Sequence, residues 1–306
     1  MRSEGGTLAS QAAPARILYL DMTVDRLAGK QNSDGGWPYV GGASCTEPTV
    51  YSILAMLAAG EDESAGRGLA WIRRLARPDG GFAPQAGVEE SNWVTALVAL
   101  LPPEQLGAKP HDRSIRWLLR TTGEESSKVY RLREWLLGNP LPPEQAFAGW
   151  PWTTGAAGWV GPTSLAILAL EREGRRRPSA EISRRIADGR QFLVRRTCRE
   201  GGWNYGAPRA LGYDSRPYPE TTGMALAALR GADFIEVRRS LDLAQRFLAD
   251  CRSADALNWL HLGLMAHGGL PSGYCRPAGV ECRTLSETSL ELLIGEVRKG
   301  RDVLWG

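Results

Sequence analysis

Residues 31–57 read QNSDGGWPYVGGASCTEPTVYSILAML, and residues 76–101 read ARPDGGFAPQAGVEESNWVTALVALL. The two stretches align almost without gaps, and a period of a few dozen residues decides the fold before any local reading does. A third copy, FAGWPWTTGAAGWVGPTSLAILALE, occupies 147–171, and a fourth, REGGWNYGAPRALGYDSRPYPETTGMALAAL, occupies 199–229. Two eroded copies keep only the second half of the unit: SADALNWLHLGLMAHG at 253–268 and RTLSETSLELLIGEV at 283–297. On this alignment Glu47, Glu90, Gly161, Glu220, Asp255 and Glu287 are equivalent helix-start positions, which makes six units. Six hairpins can close into a ring, whereas an open solenoid has no reason to stop there.

Hydrophobic patterning separates two helix classes. Segments such as Val50 to Ala59, Ser164 to Leu170 and Met224 to Leu229 are apolar nearly all round, as expected of helices buried on every side. The segments before the loops are amphipathic, with stripes such as Leu20, Val24 and Leu27 or Ile182, Ile186 and Leu193. The expected fold is therefore all-α, an (α/α)6 toroid of six helical hairpins with an inner and an outer ring. The Gly pairs at 35–36, 80–81 and 201–202 permit backbone conformations closed to other residues, and the aromatic that follows can cover a helix end. We expect a tail at 1–14, one domain over 15–300 and an insertion at about 122–147. Val129 to Leu137 form an amphipathic run within the insertion, ended by Pro140, Pro142 and Pro143. That run is expected to be a surface decoration or lid, with contact to a membrane or an apolar partner as the alternative.

Composition excludes several classes. The net charge of +3 over 306 residues, with no nucleic-acid motif, gives no reason to expect a nucleic-acid partner. No run of about eighteen apolar residues is present. Neither is a signal-like N-terminus, so a cytoplasmic protein without a transmembrane segment is expected, with peripheral membrane contact open. The five scattered cysteines include no C-x-x-C pair and read as reduced thiols. Ten arginines between Arg172 and Arg199 read as a solvated face, with an anionic membrane or a diphosphate as the alternative.

Gln31, Gly35 and Trp37 fit a Gln-x-x-x-Gly-x-Trp signature. With the looser copies, the chain resembles squalene-hopene cyclases, other terpenoid cyclases and protein prenyltransferase β-subunits over about residues 15–298. That resemblance implies the toroid fold and an isoprenoid substrate. Fold does not fix function, however, and the chemistry has to be found in the site. The Asp-x-Asp-Asp acid that the resemblance implies for cyclases is missing, and Asp21 and Asp25 read as surface acids. The zinc ligands implied for prenyltransferases would fall on Asp255, Leu257 and Glu287, so two of the three are absent. His261, His267, Cys275 and Cys282 lack metal-ligand spacing and read as packing or surface residues, so neither metal nor cofactor is expected. The Gly-Cys-Gly-Glu-Gln element of complement-like thioester toroids is missing too.

In a closed ring the inner-helix N-termini converge on one mouth. Glu47, Glu90, Glu220, Asp255 and Glu287 are expected there, with Asp214 nearby, as candidate proton donors whose pKa values mutual repulsion and burial would raise. The plain alternative is that each caps its helix. Tyr51, Trp93 and Trp259 in first turns, and Trp152, Trp159 and Tyr205 in the loops, are candidate substrate-binding aromatics able to face a carbocation or cover an isoprenoid tail. The expected function is a terpenoid-cyclase-like or prenyltransferase-like toroid that binds or converts a polyisoprenoid. A toroid that only binds a peptide or protein partner is the first alternative. A hydrolase or lyase acting on carbohydrate through mouth carboxylates, as other six-hairpin toroids do, is the second.

Overall fold

The computed structural model describes residues 23–139, 147–210, 213–270, 276–301 and 304–305. The tail at 1–14, Leu20, Asp21, Pro140, Pro142, Pro143 and Cys275 lie outside the described residues.

Six helices form the inner ring: α1 (Thr46–Ala59), α3 (Val94–Val98), α7 (Val160–Arg176), α9 (Pro219–Ala228), α11 (Ala254–Ala266) and α12 (Leu285–Arg298). Each packs against the next, and α12 packs back on α1, so the ring closes. Outside it lie residues 23–28, α2 (Asp62–Arg74), α5 (Ala108–Arg120), α8 (Ala180–Arg195) and α10 (Ile235–Asp250). The sixth outer element departs from expectation, because no helix occurs among the described residues between α11 and α12. The short α4 (Pro103–Leu106) follows α3, and α6 (Lys128–Leu136) belongs to the insertion. Side chains of the inner ring such as Ile53, Leu97, Ile167, Leu226, Leu260 and Leu293 are fully buried, Ile53 and Ile167 lying against Gly68 and Gly189 of the outer helices.

The Gly-Gly-aromatic loop is a double cap. The backbone N–H of Trp37, Phe82, Trp150 and Trp203 donates to the hydroxyls of Thr49, Thr95, Thr163 and Thr222 in the first turn of the following inner helix. The indole N–H of Trp37, Trp150 and Trp203 donates in turn to the carbonyls of Leu27, Leu118 and Leu193, near the end of the preceding outer helix. The last-turn carbonyls of the outer helices thereby gain a donor inside the core, Leu27 and Leu193 in addition to the N–H groups of Lys30 and Arg196. The glycines are required by contact: a Cβ on Gly36 or Gly81 would lie 2.5 or 2.4 Å from the Ser44 or Ser91 Cβ. Gly35 and Gly80, at φ +93° and +95°, lie in the left-handed region.

Two of the loops share a carboxylate hub. Asp34 accepts from the Gly36 N–H, the Ser44 hydroxyl and the Trp71 indole, and Asp79 repeats the set with Gly81, Ser91 and Trp117. Burial opposes ionisation of Asp34, but these hydrogen bonds and the Arg74 guanidinium outweigh it and hold the carboxyl below its usual range. Asp34→Ala leaves the buried Trp71 indole without its acceptor and is expected to cost about 1–3 kcal/mol at neutral pH. Because the folded pKa is the lower one, that advantage is full above about pH 4 and is lost as pH falls through the folded value. Urea denaturation of wild type and variant at neutral and acid pH should show the gap closing.

The arginine-rich stretch is not one solvated face. Arg185 is buried, stacks 3.3 Å over the Trp150 ring centroid, and donates to the carbonyls of Thr121, Ala148 and Gly149. Burial lowers its pKa to about 9. Arg196 is buried against Glu125, and Arg176 and Arg177 pair with Glu173. Three backbone carbonyls and two carboxylates replace water here, which charge counting along the chain could not anticipate.

Candidate active site

The threonine bonds fix the register of the mouth. Two residues before Thr49, Thr95, Thr163 and Thr222 stand Glu47, Trp93, Gly161 and Glu220. Trp93, not Glu90, is thus the second unit's equivalent of Glu47, and Glu90 is exposed in the loop before α3. Asp214 also stands apart from the other acids, on the exposed β4 (Tyr213–Asp214), which pairs with β3 (Arg209–Ala210). There it forms ion pairs with Arg199 and Arg209.

The four remaining acids occupy one arc of the ring, on α9, α11, α12 and α1. The charges acting on Asp255 are those of Glu220, Glu47 and Glu287, all negative. Burial first, and then these neighbours, push its carboxyl up to about 8. Glu47 is also raised, by burial and by Glu220, against the lowering effect of a hydrogen bond from Tyr39. Glu287 has a structural task as well, closing a capping box with Thr284 at the start of α12.

One helical turn below the acids lie two aromatics. Tyr51 follows Glu47 by four residues on α1, and Trp259 follows Asp255 by four on α11, so each pair shares a helix face. Both rings are buried and meet edge to face with centroids 6.4 Å apart. Burial and the charges of Glu47 and Asp255 hold the Tyr51 phenol well above its ordinary value, so it stays neutral.

The opposite arc is aromatic. Trp93 and Trp152 meet edge to face at 4.9 Å, and the Trp93 N–H donates to the Trp152 carbonyl. Trp152 and Met224 both border Gly161, while Trp159 borders Gly206. Strands β1 (Trp150–Pro151) and β2 (Gly158–Trp159) form the hairpin that carries Trp152 and Trp159.

Tyr39 completes the site and was not singled out by its sequence context. It lies two residues beyond the loop aromatic, as Trp152 and Tyr205 do in their units. The Tyr39 hydroxyl donates to Glu47, and the Tyr205 hydroxyl donates to Glu220 at 3.0 Å. Burial and Glu220 push Tyr205 up to about 12. The backbone carbonyls at this position also link neighbouring units: Pro84 accepts from Thr46, Trp152 from Trp93, Tyr205 from Val160, and Tyr39 from Leu285. The last of these bonds joins the first loop to the last inner helix.

The histidines and cysteines weighed as metal ligands are dispersed. His261 is buried in α11, where burial lowers its pKa to about 3; His267 bonds the Leu226 carbonyl; and Cys282 contacts Arg276 and Glu291. Among the described residues no group of three His, Cys, Asp or Glu side chains is placed to hold a metal.

No family model matches this sequence, and no characterised protein matches it in a sequence search. Solved structures do match its fold. The GH76 α-mannanase BT2949 of Bacteroides thetaiotaomicron superposes with a TM-score of 0.65 at 7% identity, covering 92% of this chain and 96% of its own. The endo-β-1,4-glucanase CMCax of Acetobacter xylinum gives 0.59 at 14%, covering 92% and 98%. The type II terpene cyclase MstE of Scytonema gives 0.54 at 15%, covering 93% and 78%. At such identities the likeness concerns architecture alone. The chain therefore has the (α/α)6 toroid fold, shared with glycoside hydrolases and with a terpene cyclase.

Proposed function

We propose that the mouth is the active site of an acid-catalysing enzyme, with Asp255 as proton donor and an apolar, isoprenoid-like chain as substrate. The observation that carries this reading is the placement of Asp255 among Glu220, Glu47 and Glu287, one turn above a buried aromatic pair, where burial and negative neighbours push its carboxyl up to about 8. A group that must give up a proton near neutrality works best with a pKa in that range. Protonation of an alkene by Asp255 would leave a carbocation on the substrate and a carboxylate on the enzyme. Trp93 and Trp152, half-buried at the mouth, would offer ring faces to that cation above the buried Tyr51 and Trp259 pair, and the acidic arc would offer it negative charge. Proton loss from the rearranged cation would return the carboxyl to its starting state.

A second reading has its own support. Tyr39 and Tyr205, 41% and 39% exposed, present a polar rim bonded to Glu47 and Glu220, beside an acid with a raised pKa. A carboxylic acid paired with a carboxylate is the apparatus of glycoside hydrolysis, and the glucanase and mannanase share this fold. One panel separates the two readings. The purified chain is incubated with squalene, polyprenyl diphosphates, soluble β-glucan and mannan, and products are read by mass spectrometry and reducing-sugar release. New hydrocarbon or alcohol products that vanish in Asp255→Asn support the first reading, and sugar release supports the second. Silence across the isoprenoid arm would sink the first.

A further inference from the structure

Among the described residues, helix α6 leaves an apolar stripe exposed. Val129, Leu132, Trp135 and Leu136 recur at helical spacing and are 79, 56, 73 and 69% exposed, and Leu137 at the C-cap is 62% exposed. Lone exposed apolar residues are ordinary, but a contiguous set this dense on one short helix is not. The opposite face turns inward, where Glu134 is buried and bonded to Asn139. Arg131 and Arg133 are exposed and flank the stripe on its two sides, as the helical repeat places them.

The helix is held firmly in this position. Its leading 3-10 turn, Glu124–Ser126, inserts Glu125, which is buried, accepts from the Gly158 N–H at 3.0 Å and pairs with Arg196. The Glu124 N–H donates to the Ala156 carbonyl. Residues 156 and 158 belong to the hairpin that carries Trp152 and Trp159. The insertion is thus fastened to the aromatic side of the mouth, on the face where all the Gly-Gly-aromatic loops lie.

We propose that α6 is a membrane-docking helix, seating Val129, Leu132, Trp135 and Leu136 among lipid acyl chains and Arg131 and Arg133 among anionic headgroups. An apolar stripe with Trp, bordered by arginines, is the pattern of an interfacial helix. The flanking charges argue against a second copy of the chain on the same surface. A two-fold contact through this stripe would bring the arginine-bordered edges of both copies together, setting positive charge against positive charge. Anionic lipid satisfies both features at once. The helix would hold the mouth's aromatic arc beside the bilayer. The surface does not depend on which reaction the mouth performs.

Co-sedimentation of the full chain with vesicles tests this, using phosphatidylcholine alone or mixed with phosphatidylglycerol, at low and high salt. Wild type should partition onto the anionic vesicles at least about tenfold better than onto neutral ones, and salt should reduce the difference. Leu132→Glu with Trp135→Glu should lower partition at least about tenfold, whereas Arg131→Gln with Arg133→Gln should remove only the preference for anionic lipid. All four side chains are exposed, so melting curves should change little, with only the Arg133 ion pair to Glu134, at 3.3 Å, given up in the glutamine variant. Leu136→Gln provides a milder second probe should the double glutamate variant melt early. No partition of wild type, equal partition of the glutamate variant, or a salt-insensitive dimer that Leu132→Glu dissociates would each overturn the proposal. Panel activity in detergent would be untouched by that failure, so the two proposals fail separately.

Discussion

Asp255→Asn is expected to lose activity by about 10²–10⁴-fold, the usual contribution of a positioned general acid, and yet to fold more stably than wild type at alkaline pH. The carboxyl has its pKa raised to about 8 in the folded chain against an ordinary 3.8. The unfolded chain therefore releases this proton first. Below about pH 4 both states hold it and the group costs nothing. As pH rises through neutrality only the unfolded state sheds it, so stability falls, and the loss is complete above about pH 8. A difference of that size sets a ceiling on the order of 5 kcal/mol. Asn keeps a buried polar head, so we expect about 2–3 kcal/mol of recovery. Urea denaturation of both proteins across acid, neutral and alkaline pH should show the variant's advantage start near zero, grow through neutrality and level off. A pH-independent difference for Asp255→Asn would mean that the carboxyl is already ionised at neutrality, removing the proton donor with it. For wild type, the same protonation state predicts a rate that declines above about pH 8.

The repeat made the ring legible because the physics that closes it is periodic. Trp37 and Trp203 recur in register since each caps two helices at once, Phe82 keeps the backbone half of that role, and such a repeated task leaves a visible spacing. The mouth was partly legible for the same reason: Glu47 with Tyr51 and Asp255 with Trp259 are acid and aromatic at four-residue spacing. Aligning the second unit on Glu90 sets it one turn too early. An acidic letter at Glu90 drew the alignment, whereas the register is set by the Thr95 hydroxyl, which puts Trp93 at the mouth. That shift divides the mouth into an acidic and an aromatic arc, a division the sequence spacing had blurred into a ring of carboxylates. Tyr39 went unnoticed because its role depends on a residue eight positions away, Glu47, coming round to meet it. Arg185 and Arg196 misled for the opposite reason: their partners, the Thr121, Ala148 and Gly149 carbonyls and Glu125, belong to the insertion and its flanks, the least periodic part of the chain.

Gly223→Ala is expected to be among the most damaging single-methyl changes the chain can suffer. Helices α9 and α11 approach backbone to backbone: a Cβ on Gly223 would lie 2.2 Å from the Trp259 carbonyl carbon and 2.4 Å from the Leu260 nitrogen. From the other side, a Cβ on Gly263 would lie 2.5 Å from the Gly223 carbonyl oxygen. No rotamer change relieves a clash with main chain, so the helices must part. Overpacking of a tight core typically costs 1–3 kcal/mol, and a backbone clash at this distance should exceed about 3 kcal/mol. Helix propensity pulls the other way, since Ala is favoured over Gly by about 1 kcal/mol in a helix interior. Gly66→Ala isolates that term, because Gly66 is exposed in α2 and a Cβ there meets nothing within 4 Å. We expect Gly66→Ala to melt at or above the wild-type temperature and Gly223→Ala to melt well below it. The consequence reaches the mouth, because α9 carries Glu220 and α11 carries Asp255 and Trp259. Parting the helices moves Glu220 away from Asp255 and admits water, weakening both causes of the raised pKa. If Gly223→Ala retains enough fold to titrate, the fall in its stability with rising pH should be smaller and level off at a lower pH than in wild type. An unchanged titration alongside a large loss of stability would show that the Gly223 and Gly263 contact supports the ring without setting the acidity of its mouth.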